Sequence, residues 1–352
     1  MKAMVYDGDG AVTVETVDDP VLAAPTDAIV RIDLTTICGS DLHILGGHVP
    51  TVTAGRVLGH EGVGTVIEAG SAVVGVSPGD RVLISGITGC GSCRYCRIRM
   101  YSQCERGGWI MGNTIHGTQA ELLRVPFADR SLYRVPERLR DEQVLFLDDP
   151  VVTAYELGLQ RAGVKPGESI AIVGAGAIGL SAVLLAPLFG VGKVIVVDTD
   201  DNRLEAARRF GADLTLNPRD ADVLDEIRAY TGGRGVDVSL ECVGAPATFE
   251  TCIESLAPGG RLANIGIHGV PVELALERHW IRNLTITTGL VDIRELPTLL
   301  ALAADGRLDV TPLATHAFSL ADGKRAYDTF AHAAEHGAVK VTLAPHPAEV
   351  AA

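Results

Sequence analysis

Of the seven cysteines in the chain, four crowd into one stretch, GCGSCRYCRIRMYSQCERGG, as Cys90, Cys93, Cys96 and Cys104 in a C-x2-C-x2-C-x7-C spacing. Cysteines three apart in a tight loop pair poorly with each other, and a redox CxxC would leave the third and fourth thiols unused. Four thiolates instead enclose a tetrahedral Zn2+ at about 2.3 Å each with no open position, which is the form of a structural site. Arg94, Arg97, Arg99 and Arg106 lie among and beside these cysteines, and they suit a cluster whose formal charge with Zn2+ is about −2. A zinc ribbon of a nucleic-acid binder would separate its two CxxC pairs by roughly 15 to 20 residues. This chain does not.

A second signal is IAIVGAGAIGL, which sets Gly174, Gly176 and Gly179 in G-x-G-x-x-G, directly after an apolar strand-like run and directly before a helical one. In that setting the glycines permit a tight turn, let a pyrophosphate approach the backbone, and let the helix pack closely while its first amides face the phosphates. Asp198 ends the next apolar run, KVIVVD, 19 residues past Gly179, where a carboxylate would bind the adenine ribose hydroxyls. Asp200 and Asp201 follow. Three carboxylates repel a 2′-phosphate, so NAD is expected over NADP, with Arg203 as the one nearby opposing charge.

These motifs need elements to hold them. From Met1 to about Pro136 the runs are short and β-like (MKAMVY, AVTVETV, DAIVRIDLTT, GVGTVIEAG, DRVLIS, GTQAELLRVP), with Gly, Pro and Asp between them. That pattern predicts a barrel-like, largely antiparallel domain. From Ser169 strand-like and helical runs alternate: SIAIVG with AIGLSAVLLAPLFG, KVIVVD with NRLEAARRFG, ADLTLN with DVLDEIRAYTG, VDVSLEC with PATFETCIESLAPGG, then RLANIG. Such alternation predicts βαβ units and a parallel, doubly wound sheet, so the fold class is α/β. After about Val291 come two helical runs and a strand, AVKVTLAP, and the tail HPAEVAA is expected to fray.

At 352 residues two domains, each with its own core, are expected. Hydrophobic residues at 47% and charged ones at 21% fit a compact α/β protein and exclude a disordered or fibrous one. A net charge of −14 disfavours nucleic acid and anionic membrane surfaces as partners. The first residues lack the apolar core and cleavage site of a secretory signal. Ile170 to Gly192 carries no charged residue and is long enough to span a bilayer, but its five glycines and Pro187 argue against that. The compartment expected is the reducing cytosol, where cysteines stay free or hold metal.

TTICGSDLHIL sets Cys38, Ser40 and His43 together, and RVLGHEGVG sets His60 beside Glu61. Alone, each fragment is bland, since a single Cys is commonly a small core residue. Taken in order with the rest, CGSDLH, GHEGVGTV, GDRV, CGSCRYCRIRMYSQC, GAGAIG and VVDTDDNRL resemble the zinc-dependent medium-chain alcohol dehydrogenase family, over almost the full length from MKAMVY to AVKVTLAP. The resemblance implies a GroES-like β-barrel catalytic domain over 1–150 with a structural zinc lobe at about 89–108. It further implies a Rossmann NAD-binding domain over 151–290, a segment 291–352 that completes the catalytic domain, and a catalytic zinc between the two.

By the same resemblance Cys38 and His60 are zinc ligands, and the third lies just before the Rossmann domain. Many relatives have Cys there, four residues before a Thr and six before an aromatic. In FLDDPVVTAYE, counting back from Thr153 and Tyr155 reaches Asp149, so the chain departs from that pattern and resembles the branch that uses Cys, His and Asp. Glu61 becomes a nearby or transient ligand. Ser40, a cofactor ribose hydroxyl and His43 form a proton path; Thr153 contacts the nicotinamide, Arg203 the adenosine end and Lys340 the pyrophosphate. Trp109, Ile110 and Leu290 are expected as pocket walls for small to medium apolar alcohols and their aldehydes or ketones. The full expectation is two zinc ions per chain, NAD as cofactor and a homo-oligomer, a tetramer before a dimer. A polyol or threonine dehydrogenase, or a non-catalytic zinc and dinucleotide binder, are the alternatives, while both cysteine sets disfavour a zinc-free quinone reductase. Cys242 and Cys252 receive no role.

Overall fold

A computed structural model describes residues 1–346, and the tail expected to fray lies, from 347 on, outside the described residues. The chain forms two compact units, one of Met1–Asp149 with the residues from Asp292 on, the other of Pro150–Val291. Among the described residues no helix is long and apolar enough to cross a membrane. The uncharged run from Ile170 instead divides into a strand, Ser169–Val173, and a helix, Ala177–Leu185.

The first unit is built on a seven-stranded sheet. Ala314–Ser319, Lys340–Ala344, Ala28–Ile37, Gly62–Ala69, Arg81–Ile84 and Leu132–Arg134 lie side by side, and Leu122–Val125 pairs with the start of Ala28–Ile37. All pairs are antiparallel except Ala314–Ser319 with Lys340–Ala344. Alternation in AIVRIDLTTI sends Val30 and Ile32 into a core with Val66, Val82 and Ile84, all essentially without solvent contact. A small sheet of Val12–Thr16, Lys2–Tyr6 and Arg56–Val57 packs in the same unit. The pairings Val341↔Ile37, Thr35↔Gly62 and Gly62↔Ile84 have a direct consequence. Carried one or two residues further, the register gathers Lys340, Cys38, His60 with Glu61, and Gly86 at one end of four neighbouring strands.

The second unit is a six-stranded, wholly parallel sheet in the order Leu214–Leu216, Lys193–Val197, Ser169–Val173, Val236–Glu241, Leu256–Asn264, Thr285–Thr288. Numbered within the unit this is 3-2-1-4-5-6, the Rossmann order, and it reverses beside the first strand, where the glycine turn lies. Ile170, Ala171, Ile172, Ile195 and Val196 are fully buried, as strands covered on both faces must be. The helical run expected through PATFETCIESLAPGG ends at Ser255, and the next strand takes Leu256–Asn264. Pro258 and two glycines explain the early stop.

Candidate metal and cofactor site

Cys38 stands between strand Ala28–Ile37 and helix Gly39–Leu45, and its backbone is still extended, so the thiol leaves the sheet at its end. His60 follows Gly59, whose φ of +90° turns the chain tightly ahead of strand Gly62–Ala69. Asp149 closes the group: its Oδ2 lies 3.2 Å from Cys38 Sγ and 3.8 Å from His60 Nε2. Ligand atoms of Cys38, His60, Glu61 and Asp149 lie within 4.8 Å of one another. Asp148 turns the other way. It is fully buried and its carboxylate accepts Gly86 N–H at 3.1 to 3.2 Å.

The electrostatics of this group ask for a cation. Burial, and then the Asp149 charge, raise the Cys38 thiol above its ordinary value. Burial would lower His60, but Asp149 and Cys38 beside it drive it well above the usual histidine range. Burial would likewise raise Asp149, yet His60 and Lys340 hold it at about 2. Cys38 Sγ, His60 Nε2 and Asp149 Oδ2 thus converge where a metal ion would sit. The donors suit zinc: one thiolate, one imidazole and one carboxylate, the set of an open, three-ligand centre. Around it Ser40 Oγ, Glu61 Oε2 and Trp109 Nε1 are buried without a hydrogen-bond partner among the described residues. Ser40 and His43 lie one turn apart on helix Gly39–Leu45 and so share a face. His43 is half-buried with its Nδ1 3.4 Å from His48 Nδ1. Trp109 meets the His60 ring edge-on at 5.8 Å, and Ile110 follows half-buried.

Lys340, expected at the pyrophosphate of the cofactor, has a partner within the protein. Rather than lying free for a pyrophosphate, it is 1% exposed, with Nζ 2.5 Å from Glu61 Oε1 and donating to Ile37 O. Burial pushes Glu61 up to about 7 while Lys340 opposes the rise. The reason for the pairing is charge. Cys38, Asp149 and Glu61 as three anions would be balanced by a divalent ion and one ammonium, whereas three buried anions and the ion alone would not be.

The four-cysteine lobe shows a second donor set. Cys90, Cys93, Cys96 and Cys104 offer sulfurs within 4.8 Å of one another, and Cys90 and Cys96 Sγ are 3.9 Å apart. A tetrahedron of Zn–S bonds of about 2.3 Å has edges of about 3.8 Å. Burial opposes ionisation of Cys90, but the Ser92 and Cys93 amides and Arg106 bring it down to about 5, while burial pushes Cys96 up to about 12. Arg106 also donates to Ser92 Oγ at 2.6 Å. Arg94 stacks over the Tyr95 ring instead.

In the second unit the three glycines do different things. Gly174 has φ +101°, and a Cβ there would meet Val243 Cγ2 at 2.6 Å; a Cβ on Gly179 would lie 1.9 Å from Gly174 O. A Cβ on Gly176 would meet nothing, so the space before helix Ala177–Leu185 is open, as a phosphate group requires. Asp198 accepts Ala175 N–H at 2.7 Å and Asp200 N–H at 2.9 Å, so it also braces the turn, which no sequence pattern announced. Arg203 lies 3.7 Å from Asp200. Thr153 is buried, with Oγ1 unpartnered among the described residues, and Leu290 is 40% exposed.

Residues 24–137 match the family "Alcohol dehydrogenase GroES-like domain" and residues 177–305 the family "Zinc-binding dehydrogenase". An alcohol dehydrogenase of Cupriavidus necator is 38% identical, with 98% of this chain and 99% of that protein covered. The chain belongs to the zinc-dependent medium-chain alcohol dehydrogenase family. The dehydrogenase is similar in structure to zinc-dependent alcohol dehydrogenase 2 of Streptococcus pneumonia, with a TM-score of 0.93, 47% identity and 98% of each chain covered. A more distant relative is the L-threonine 3-dehydrogenase of Pyrococcus horikoshii, 33% identical over 88% of this chain and 89% of that one. The dehydrogenase is thus a zinc-dependent oxidoreductase of alcohols that uses a nicotinamide dinucleotide.

Proposed function

We propose that this alcohol dehydrogenase holds two zinc ions, one closed in by Cys90, Cys93, Cys96 and Cys104, the other on Cys38, His60 and Asp149 with an open position for substrate, and that it prefers NAD. The approach of Asp149 Oδ2 to Cys38 Sγ and His60 Nε2, at 3.2 and 3.8 Å, carries this reading. Zinc at that centre supplies a Lewis acid that lowers the pKa of an alcohol hydroxyl and polarises a carbonyl. Ser40 Oγ, buried without a partner among the described residues, both accepts and donates, and so takes up the hydroxyl proton. His43, one turn on, receives it at the outer end, where burial and then His48 lower its pKa. Thr153 faces the nicotinamide and Arg203 the adenosine. The carboxylates of Asp198, Asp200 and Asp201 support NAD over NADP.

The substrate class we propose is small to medium apolar alcohols and their aldehydes or ketones, with Trp109, Ile110 and Leu290 as walls. The working form is a cytoplasmic homo-oligomer. Edge strand Thr285–Thr288 and the exposed Trp280 and Ile281 near it support self-association. A panel of ethanol, longer primary alcohols, secondary alcohols, polyols and threonine, followed by NADH formation with zinc counted on the same sample, tests the reading. Turnover should rise with apolar chain length, and preference for threonine or a polyol would contradict it.

A further inference from the structure

Gln119 touches the loops that carry two of the three proposed ligands. Its amide Nε2 donates to Asp41 Oδ2 at 3.0 Å and to Thr36 O at 3.3 Å, while its Oε1 accepts the Tyr327 hydroxyl at 2.8 Å. The same Asp41 oxygen accepts the backbone N–H of Cys38 at 2.9 Å. On its other side Gln119 faces the turn before His60. A Cβ on Gly59 would lie 2.6 Å from Gln119 Cγ, and Gln119 N–H donates to Leu58 O at 3.0 Å. Asp41 and Gln119 have no solvent contact and Tyr327 is 4% exposed.

The arrangement uses nearly all that an amide can offer. Both amide hydrogens meet acceptors, so the carbonyl oxygen must face Tyr327 and the phenol must donate. A carboxylate at 119 would bring a second charge against Asp41, and an apolar residue would leave Asp41 to hold Cys38 alone. Tyr327 belongs to helix Gly323–Ala331 of the C-terminal segment, 208 residues from Gln119. Here that segment reaches back to the metal loops.

We propose that Gln119 and Tyr327 are positioning residues. Through Asp41 and Gly59 they fix the Cys38 turn and the His60 loop in one register, and so set how firmly the Cys38, His60 and Asp149 centre retains its ion. This rests on the reading that the centre takes zinc. Residues that orient metal ligands from behind typically change metal affinity by about 10- to 100-fold when removed.

The test measures zinc release from the full-length, zinc-loaded protein into a chromophoric chelator, for the parent, Gln119→Met and Tyr327→Phe. An Asp149→Asn sample identifies the four-cysteine ion. Cobalt-loaded samples are followed by their visible ligand-field spectrum, which loss of stability alone would not shift. Gln119→Met should release the ion of the three-ligand centre about tenfold faster or more, Tyr327→Phe should do so to a smaller degree, both cobalt spectra should shift, and the four-cysteine ion should leave at the parental rate. Should Gln119→Met not fold, Tyr327→Phe, which removes a single oxygen atom, decides. Parental release rates and spectra in the folded variants overturn the proposal alone. A parent without metal at that centre overturns the reading of the centre and this proposal with it.

Discussion

The Lys340 ammonium lies 2.5 Å from the Glu61 carboxylate, and both side chains are buried at the end of the sheet that carries Cys38 and His60. Breaking a buried ion pair by removing one partner costs about 3 to 5 kcal/mol, because the remaining charge stays buried without compensation. Lys340→Met, close in volume, should lower the stability of the metal-free protein by that amount. Adding Glu61→Gln should restore most of it. Denaturant unfolding of the two variants checks this. A Lys340→Met protein as stable as the parent but weakened in cofactor binding would return Lys340 to the cofactor.

The closed four-sulfur lobe should behave as a separate metal unit. Cys93→Ser removes one of four thiolates and should release that zinc and lower the melting temperature, while a folded remnant keeps its affinity for NAD. Metal analysis with thermal unfolding decides. At most one zinc in the fresh parent, together with an undiminished melting temperature in Cys93→Ser, would contradict the lobe's reading.

Asp198 braces the glycine turn and, in the proposed reading, selects NAD, so its replacement should show two effects. Asp198→Gly should narrow or reverse the preference for NAD over NADP by removing a carboxylate that repels a 2′-phosphate. It also removes the acceptor of the Ala175 and Asp200 amides, each hydrogen bond being worth about 1 kcal/mol, so affinity for both dinucleotides should fall. Titration of both cofactors by fluorescence separates the effects. Equal affinity of the parent for the two would sink the specificity argument.

What could be read from the sequence was local in character. The four cysteines lie within one loop, the glycine turn within one βα connection, and Ser40 and His43 within one short helix that Cys38 precedes, so spacing alone groups them. Short β-like runs likewise announced the largely antiparallel sheet of the first unit, and strand–helix alternation the parallel sheet of the second. What stayed hidden depends on pairing across the chain. Lys340 meets Glu61 from 279 residues away, and AVKV gives no sign that its lysine points inward rather than into water. Gln119 and Tyr327 are single polar residues in runs without any motif, and only the fold brings them to Asp41. The bracing of Ala175 by Asp198 was masked for another reason: the same carboxylate already had an explanation.

The choice between Asp148 and Asp149 tests the central claim most directly. Both carboxylates shortly precede Pro150, but only Asp149 approaches Cys38 and His60, while Asp148 is committed to Gly86 N–H. The measurement is zinc content and alcohol turnover for Asp149→Asn and Asp148→Asn, prepared side by side with the parent. An anionic ligand replaced by a neutral amide should cost Asp149→Asn its open-site zinc and at least about 10²-fold in turnover, the lower end of what removing even one neutral transition-state hydrogen-bond donor costs, with the four-cysteine zinc retained. Asp148→Asn should keep two zinc ions and most of the activity, because its amide can still accept from Gly86. A dead Asp148→Asn beside a working, fully loaded Asp149→Asn would contradict the account.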